Sequence, residues 1–451
     1  MENKAIHPPK KQRVQCLTID SPRKHAISDW MALIDEDNSA GAAKGGSLAN
    51  SAALVDLPLP CARDDEVGMS RYQPTTALSH LTGVTSQAVK HWTIVERYLL
   101  NHFMQSVSRA LVVVEDQDNI FLLHFVPMAL QNLTVRRALL ALSACHTSKV
   151  YPIFEHDVLV QRTEALCNLK TELADHDRFK WAIGATLLLC LVEICEGNSQ
   201  KWLLHLHGAR TLLTNTLSDS LQGPPLAILK ELYNYICCIA SVNSITAPPV
   251  LWPLSGTDVG ASTVHPLFGS CGDLYHCLAE INDVAAEMDN ASPAEHQSLR
   301  LREIELSLQS WTPAEESQKS RYTSELRAAG FANQWAIMIR LQQVANKSRN
   351  DDPRITKAAE HILSALSLIR PGSDVEPLLL FPLFMAGLGS TTKPSRLTVE
   401  HRFTSMEATI GLGNIVIAHK LLDEIWRRAN DGDVVDWQAL TRARYPGLIL
   451  F

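Results

Sequence analysis

The stretch KWLLHLHGARTLL, residues 201–213, sets His205, His207 and Arg210 inside an apolar, helix-favouring run. Paired imidazoles are what a metal centre or a general base would use. The spacing argues against both, because at about 100° per residue His205 and His207 stand about 200° apart around a helix axis. A helical two-histidine zinc site wants i, i+4 spacing with a glutamate beside the first histidine, and no H-E-x-x-H occurs in the chain. The expected helix follows a cap at Asn198 or Ser199 and buries Trp202, Leu206, Ala209 and Leu213. His205 then falls at the edge of the apolar stripe and His207 away from it. Arg210, near Leu203 and Leu206, would need an acceptor such as Glu193 or Glu196 on the preceding helix. The expectation is an orienting hydrogen bond across a helix pair.

Other reactive residue types are as poorly placed for catalysis. Cys145 and His146 are neighbours, so on a helix they point about 100° apart, and their surroundings are apolar. For a magnesium-held diphosphate, DDEVG at Asp64 and Asp65 lacks a third acid. NDVAAEMDN, starting at Asn282, lacks the hydroxyl and terminal acid of a second metal motif. No phosphate loop, nucleophile elbow or dinucleotide fingerprint occurs, and Gly411 to Gly413 reads as a helix-start turn. No catalytic residue, cofactor or metal is expected, and the chain is read as a binding protein.

The elements that would position these residues are helices. From His91 onward, long helical stretches alternate with short breaks at EGNS, QGPP, TAPPVLWPLSG and RPGSD. Leu99, Phe103, Val107 and Leu111 step by four, and Leu166, Leu169 and Leu173 by three and four. Further helices are expected over 122–130, 134–147, 181–195, 226–242, 274–288, 325–347, 355–368 and 414–428. The fold class expected is all-α, an irregular multi-helix bundle over 91–451 after a disordered arm over 1–90. Pro248, Pro249, Pro253 and Pro266 mark 246–266 as a division between two sub-bundles.

Of 451 residues, 46% are hydrophobic and 20% charged, which is the balance of a globular chain. A net charge of -7 provides no whole-chain attraction for nucleic acid, so any DNA affinity must be local. The ten cysteines form no dense framework and read as buried thiols of a reducing compartment. The longest apolar run, residues 181–192, is too short to span a membrane, and no membrane partner is expected.

The run WAIGATLLLCLVEICEGNSQKWLLHLHGARTLL closely resembles the middle of the fungal-specific transcription factor domain that follows the zinc cluster in many regulators. The resemblance rests on an apolar helix ending at Glu193, a polar turn, then Trp202, His205, Leu206, Gly208, Ala209 and Arg210. Upstream, FVPMALQNLTVRRALLALSACH is similar to the family's paired helices ending near His146, and PLLLFPLFMAG and the stretch 411–437 are similar to its late segments. The resemblance implies a nuclear regulator of transcription with no enzymatic activity, and reads the Trp202 motif as a packing signature. An all-α enzyme with an unrecognised pocket near Trp202 or residues 381–387, and a helical adaptor without a transcriptional role, are the alternatives.

In that family, six closely spaced cysteines hold two zinc ions and aim a short helix at DNA. This sequence has only Cys16 and Cys61 before Cys145 and no C-x-x-C pair. Two explanations stand, a truncated gene model or a naturally cluster-less member of the kind found among regulators of secondary-metabolite clusters, including the mycotoxin (trichothecene) type. Either way the expected partners are other regulators or coactivators, with DNA contacted weakly or indirectly and a small-molecule effector allowed for.

The arm carries two candidate signals. Lys10, Lys11 and Arg13, followed by Arg23 and Lys24, have the spacing of a bipartite import signal for a nuclear import receptor. Residues 29–38 interleave Trp30, Leu33 and Ile34 with acids that include Asp35 and Glu36, the pattern of an activation segment whose charges keep apolar groups solvated.

Overall fold

The computed structural model describes residues 89–114, 117–175, 178–216, 224–244, 246–251, 264–290, 295–313, 323–347 and 349–451. Among them the fold is all-α, and the sole extended pairing is a lone antiparallel bridge between His265 and Gly269. The helices in order are α1 Ile94–His102, α2 Val126–Gln131, α3 Leu133–Ser148, α4 Glu155–Leu173, α5 Phe179–Glu196, α6 Lys201–Thr216, α7 Pro224–Ala240, α8 Gly272–Asn290, α9 Glu295–Ser310, α10 Thr323–Ala345, α11 Pro353–Leu366, α12 Leu380–Gly389, α13 Lys393–Thr409, α14 Gly413–Asn430 and α15 Trp437–Arg444. The import residues Lys10, Lys11, Arg13, Arg23 and Lys24, the activation residues Trp30, Leu33, Ile34, Asp35 and Glu36, and Asp64 and Asp65 lie outside the described residues.

Two helices organise the body because their sequences offer no polar face. In α5, every residue from Ala182 to Cys195 is buried. In α12, all ten residues of LFPLFMAGLG are buried. A helix apolar all round must be covered on every side. α5 is covered by α3, α4, α6, α7 and α14, and α12 by α10, α11, α13 and α14. α14 touches both, so it joins the two surroundings.

Local signals place the ends. Thr93 and Glu96 form a reciprocal capping box at the start of α1, and Asn132 accepts from the backbone N–H of Val135 at 3.0 Å to open α3. The four-residue step from Leu99 to Leu111 runs through α1 into a π-helical turn over Phe103–Val107, and all four side chains are buried. Two helices, α9 and α13, carry no apolar stripe wide enough to mark them in the sequence. α13 buries only Val399, Arg402, Phe403 and Met406. Arg402 is tolerated there because its guanidinium donates to the carbonyl of Ile369 at 3.0 Å and lies 3.6 Å from the buried carboxylate of Glu376.

Across 246–266, the backbone N–H of Val113 donates to the Pro266 carbonyl at 3.0 Å, and Asn234 exchanges two 2.8 Å hydrogen bonds with the backbone of Leu251. Tyr235 meets Phe268, Tyr275 and Phe451 ring to ring. The buried apolar residues before and after this segment form one continuous cluster.

Leu188, fully buried in α5, tests the central role of that helix. Leu188→Ala is expected to cost about 2–5 kcal/mol through lost transfer energy and a cavity. Leu306→Ala, at an exposed position of α9, should change stability by less than about 0.5 kcal/mol. Urea unfolding of both variants checks this; equal losses would remove the distinction.

Candidate functional site

The site is built on the hairpin of α5 and α6, where the stretch singled out in the sequence turns a corner. α5 ends on Gly197, whose φ of +99° few other residues adopt without strain. Ser199 then accepts from the backbone N–H of Lys201 at 3.3 Å, and α6 begins. As expected, Trp202, Leu206, Ala209 and Leu213 are all buried, with His205 buried beside them and His207 exposed. Gly208 is buried too. The imidazoles part company: His207 donates through Nε2 to the Thr246 carbonyl at 3.1 Å, outside the core that holds His205.

The charge at this corner is held differently from the expectation. Glu193 is fully buried, and its carboxylate takes a short hydrogen bond from the Ser199 hydroxyl, which ties the end of α5 to the start of α6. Its cation is Arg162 of α4, 3.4 Å from Glu193 and 3.1 Å from Glu196. The proposed partner Arg210 is not there. It is half-buried on the α7 side of α6, where its positive charge acts on Tyr233 and Cys237. The physical reason is reach. Glu193 and Glu196 share a face of α5 that α4 covers, whereas Arg210 lies more than two turns along α6 from the corner. Burial, followed by the neighbouring Glu193 charge, pushes the Glu196 carboxyl above its ordinary range.

Trp202 connects this corner to the last described segment, Tyr445–Phe451. Its indole N–H donates to the Gly447 carbonyl at 3.0 Å. Asn243 donates to the Leu448 carbonyl at 2.8 Å, and Asn414 to those of Ile449 and Phe451 at 3.1 and 3.0 Å. Leu448, Ile449, Leu450 and Phe451 are all buried. A segment that is neither helix nor strand inside a helical core has no ladder to satisfy its carbonyls, so these side chains do it. The backbones meet closely: a Cβ on Gly197 would come within 2.5 Å of the Gly413 carbonyl carbon, and one on Gly447 within 2.5 Å of that of Asn198. Gly413, expected to mark a helix start, does open α14 and also admits the corner of α5.

A second polar cluster lies in the last turn of α3. His146 Nε2 sits 2.8 Å from the Ile410 carbonyl, and its Nδ1 sits 2.9 Å from His102 Nε2. A carbonyl only accepts, so His146 carries its proton on Nε2, and His102 donates from Nε2 to His146 Nδ1. Burial lowers the pKa of both rings, which favours their neutral forms. Burial, with the His146 ring beside it, pushes the pKa of His102 from 6.5 down to about 4. Cys145 faces the other way, its Sγ 3.8 Å from the Val192 carbonyl of α5. The adjacent thiol and imidazole therefore engage different helices, and the hydrogen bond with Cys195, followed by burial, pushes the Cys145 thiol well above its ordinary range.

Among the described residues, no group of three or more His, Cys, Asp or Glu side chains is placed to hold a metal ion, and no helix is long and apolar enough to cross a membrane. Trp202, Leu206 and Ala209 are buried along one face of α6, and Glu193 is buried where α5 turns into it. Arg162, Gly447, Asn243 and Asn414 were not legible as members. Each comes from a distant part of the chain, and a glycine or asparagine beside a turn is too common a signal to single out.

Compared with known proteins, residues 98–450 match the family model of the fungal specific transcription factor domain. The chain belongs to that family. No curated protein and no solved structure matches significantly.

Three substitutions and a pH series test this junction. Arg162→Ala removes a cation from the buried Glu193 and is expected to cost about 3–5 kcal/mol, well above Arg210→Ala. Trp202→Phe strands the Gly447 carbonyl and should cost about 1–3 kcal/mol. Chemical denaturation of the three variants ranks them, and an Arg210 loss equal to that of Arg162 would restore the discarded pairing. For His102, the folded pKa lies below the unfolded one, so between pH 6.5 and about 4 only the unfolded chain gains this proton. Stability is expected to fall as pH drops through that window, and His102→Gln to flatten the slope by about one proton.

Proposed function

We propose that this member of the fungal specific transcription factor domain family acts in the nucleus as a pathway-specific regulator of a secondary-metabolite gene cluster, of mycotoxin type. The observation that carries the reading is the family assignment over residues 98–450, which supports a role in transcription regulation. The helical body serves as the regulatory and protein-contact module. In this reading DNA targeting comes through partner regulators, which the body contacts. Lys10, Lys11, Arg13, Arg23 and Lys24 engage the import receptor. Trp30, Leu33 and Ile34, kept solvated by Asp35 and Glu36, meet a coactivator groove.

A fluorescently tagged chain is expected to accumulate in the nucleus, and replacing the five basic residues by alanine to redistribute it to the cytoplasm. Deleting the gene should lower transcripts of one contiguous biosynthetic cluster, with the tagged chain found at its promoters by chromatin immunoprecipitation. Exclusively cytoplasmic signal together with unchanged transcripts would sink the proposal.

A further inference from the structure

A cleft of about 420 Å³ opens between α7, α8, α10 and α15, within the size range of pockets that hold small ligands. Its wall contains polar atoms that the fold leaves unsatisfied. Asn243 is 6% exposed and lines the cleft; its Nδ2 is committed to the Leu448 carbonyl at 2.8 Å, and its Oδ1 has no hydrogen-bond partner among the described residues. Gln343, in the last turn of α10, also lines the cleft, and neither its buried Oε1 nor its buried Nε2 has a partner among the described residues. An unmade hydrogen bond forfeits the solvation the group had in water, so such atoms are few in a packed core. Asn243 and Gln343 bring three to the lining of this one cleft, each just beneath its surface.

The charges around these atoms favour an anion. Arg340, 4% exposed and donating through Nε to Asn282 at 2.9 Å, brings a buried positive charge to the wall. Lys347 and Arg442 line the same cleft from exposed positions. Lys347 is moreover held at φ +48°, a left-handed conformation that a lysine adopts only at a cost. Two carboxylates also line the cleft. Asp436 accepts through Oδ1 from the backbone N–H groups of Gln438 and Ala439, each at 3.0 Å, and keeps its charge, so Arg340, Lys347 and Arg442 stand against Asp283 and Asp436 in the lining.

We infer that this cleft binds a small organic acid that carries both a carboxylate and hydroxyl or N–H donors. The carboxylate meets Gln343 Nε2 and the field of Arg340, Lys347 and Arg442. The donors meet Asn243 Oδ1, Gln343 Oε1 and Asp283, none of which can donate when ionised or as an amide oxygen. Binding is a property of the folded chain itself. Its meaning as an effector response rests on the regulatory function proposed above. Asn243 gives the ligand a route to the core, because the same amide holds the segment Tyr445–Phe451 in place.

The test uses the purified full chain, with quinate, citrate and glutamine as probes, and benzoate and methyl quinate as probes lacking the donors or the carboxylate. Calorimetry is expected to show saturable binding of at least one of the first three, at least tenfold tighter than benzoate or methyl quinate. Gln343→Ala and the pair Lys347→Asn with Arg442→Gln should each weaken it tenfold or more, with asparagine retaining the left-handed conformation at 347. Independently of any probe, Gln343→Met should raise the melting temperature of the ligand-free chain, because it removes two unsatisfied buried atoms. Absence of binding by all three probes, equal binding of benzoate, or a lowered melting temperature for Gln343→Met would overturn the proposal, the last by showing that ordered water already satisfies the amide. A chain that binds but leaves transcripts unchanged would keep this inference and remove the regulatory function.

Discussion

The carboxylate of Glu193 has no access to water, and it ends a helix that has no polar side of its own. Burying a charge there is strongly unfavourable unless its partners are fixed in place. Arg162 supplies the cation from α4, and the Ser199 hydroxyl supplies a hydrogen bond across the turn. These partners set where α4, α5 and α6 meet. Once α6 is set, Trp202 points its indole N–H at the Gly447 carbonyl, and the segment Tyr445–Phe451 is carried into the core between the elements that hold Asn243 and Asn414. A single buried charge thereby orders residues drawn from four distant parts of the chain.

Close backbone approach is what makes that arrangement possible. The corner after α5 presses on Gly413 and on Gly447, and a methyl group at any of the three glycines would collide with main chain that cannot rotate away. Side chains can repack around an intruder, but backbone held by a buried helix on each side has nowhere to go. α14 and the last segment are therefore positioned by contact with the very turn that the Trp202 motif defines.

Much of the helical body was legible in the sequence. The expected helices over 134–147, 181–195, 226–242 and 414–428 correspond to α3, α5, α7 and α14, because three- and four-residue apolar steps with turn residues between them report local geometry. α9 and α13 were missed for the same reason: their buried residues are few, and one of those in α13 is an arginine. The candidate site was half visible. Its α6 face, its cap at Ser199 and the separation of His205 from His207 follow from helical periodicity. The partner of Glu193 did not follow, because Arg162 and Arg210 are chemically equivalent donors until packing decides which one lies over the acidic face of α5.

The sequence by itself determined the class of fold, the family resemblance and the separation of His205 from His207 around one helix. All of these rest on spacings of a few residues, which an α-helix converts into angles without help from the rest of the molecule. Tertiary structure alone decided that Arg162 holds Glu193, that residues 445–451 are threaded behind Trp202, that His102 and His146 share a proton chain to Ile410, and that Asn243 and Gln343 line one cleft. These depend on contacts between residues far apart in the chain. Their free energies come from burial and from pairing across elements, quantities that no local pattern of residue types contains.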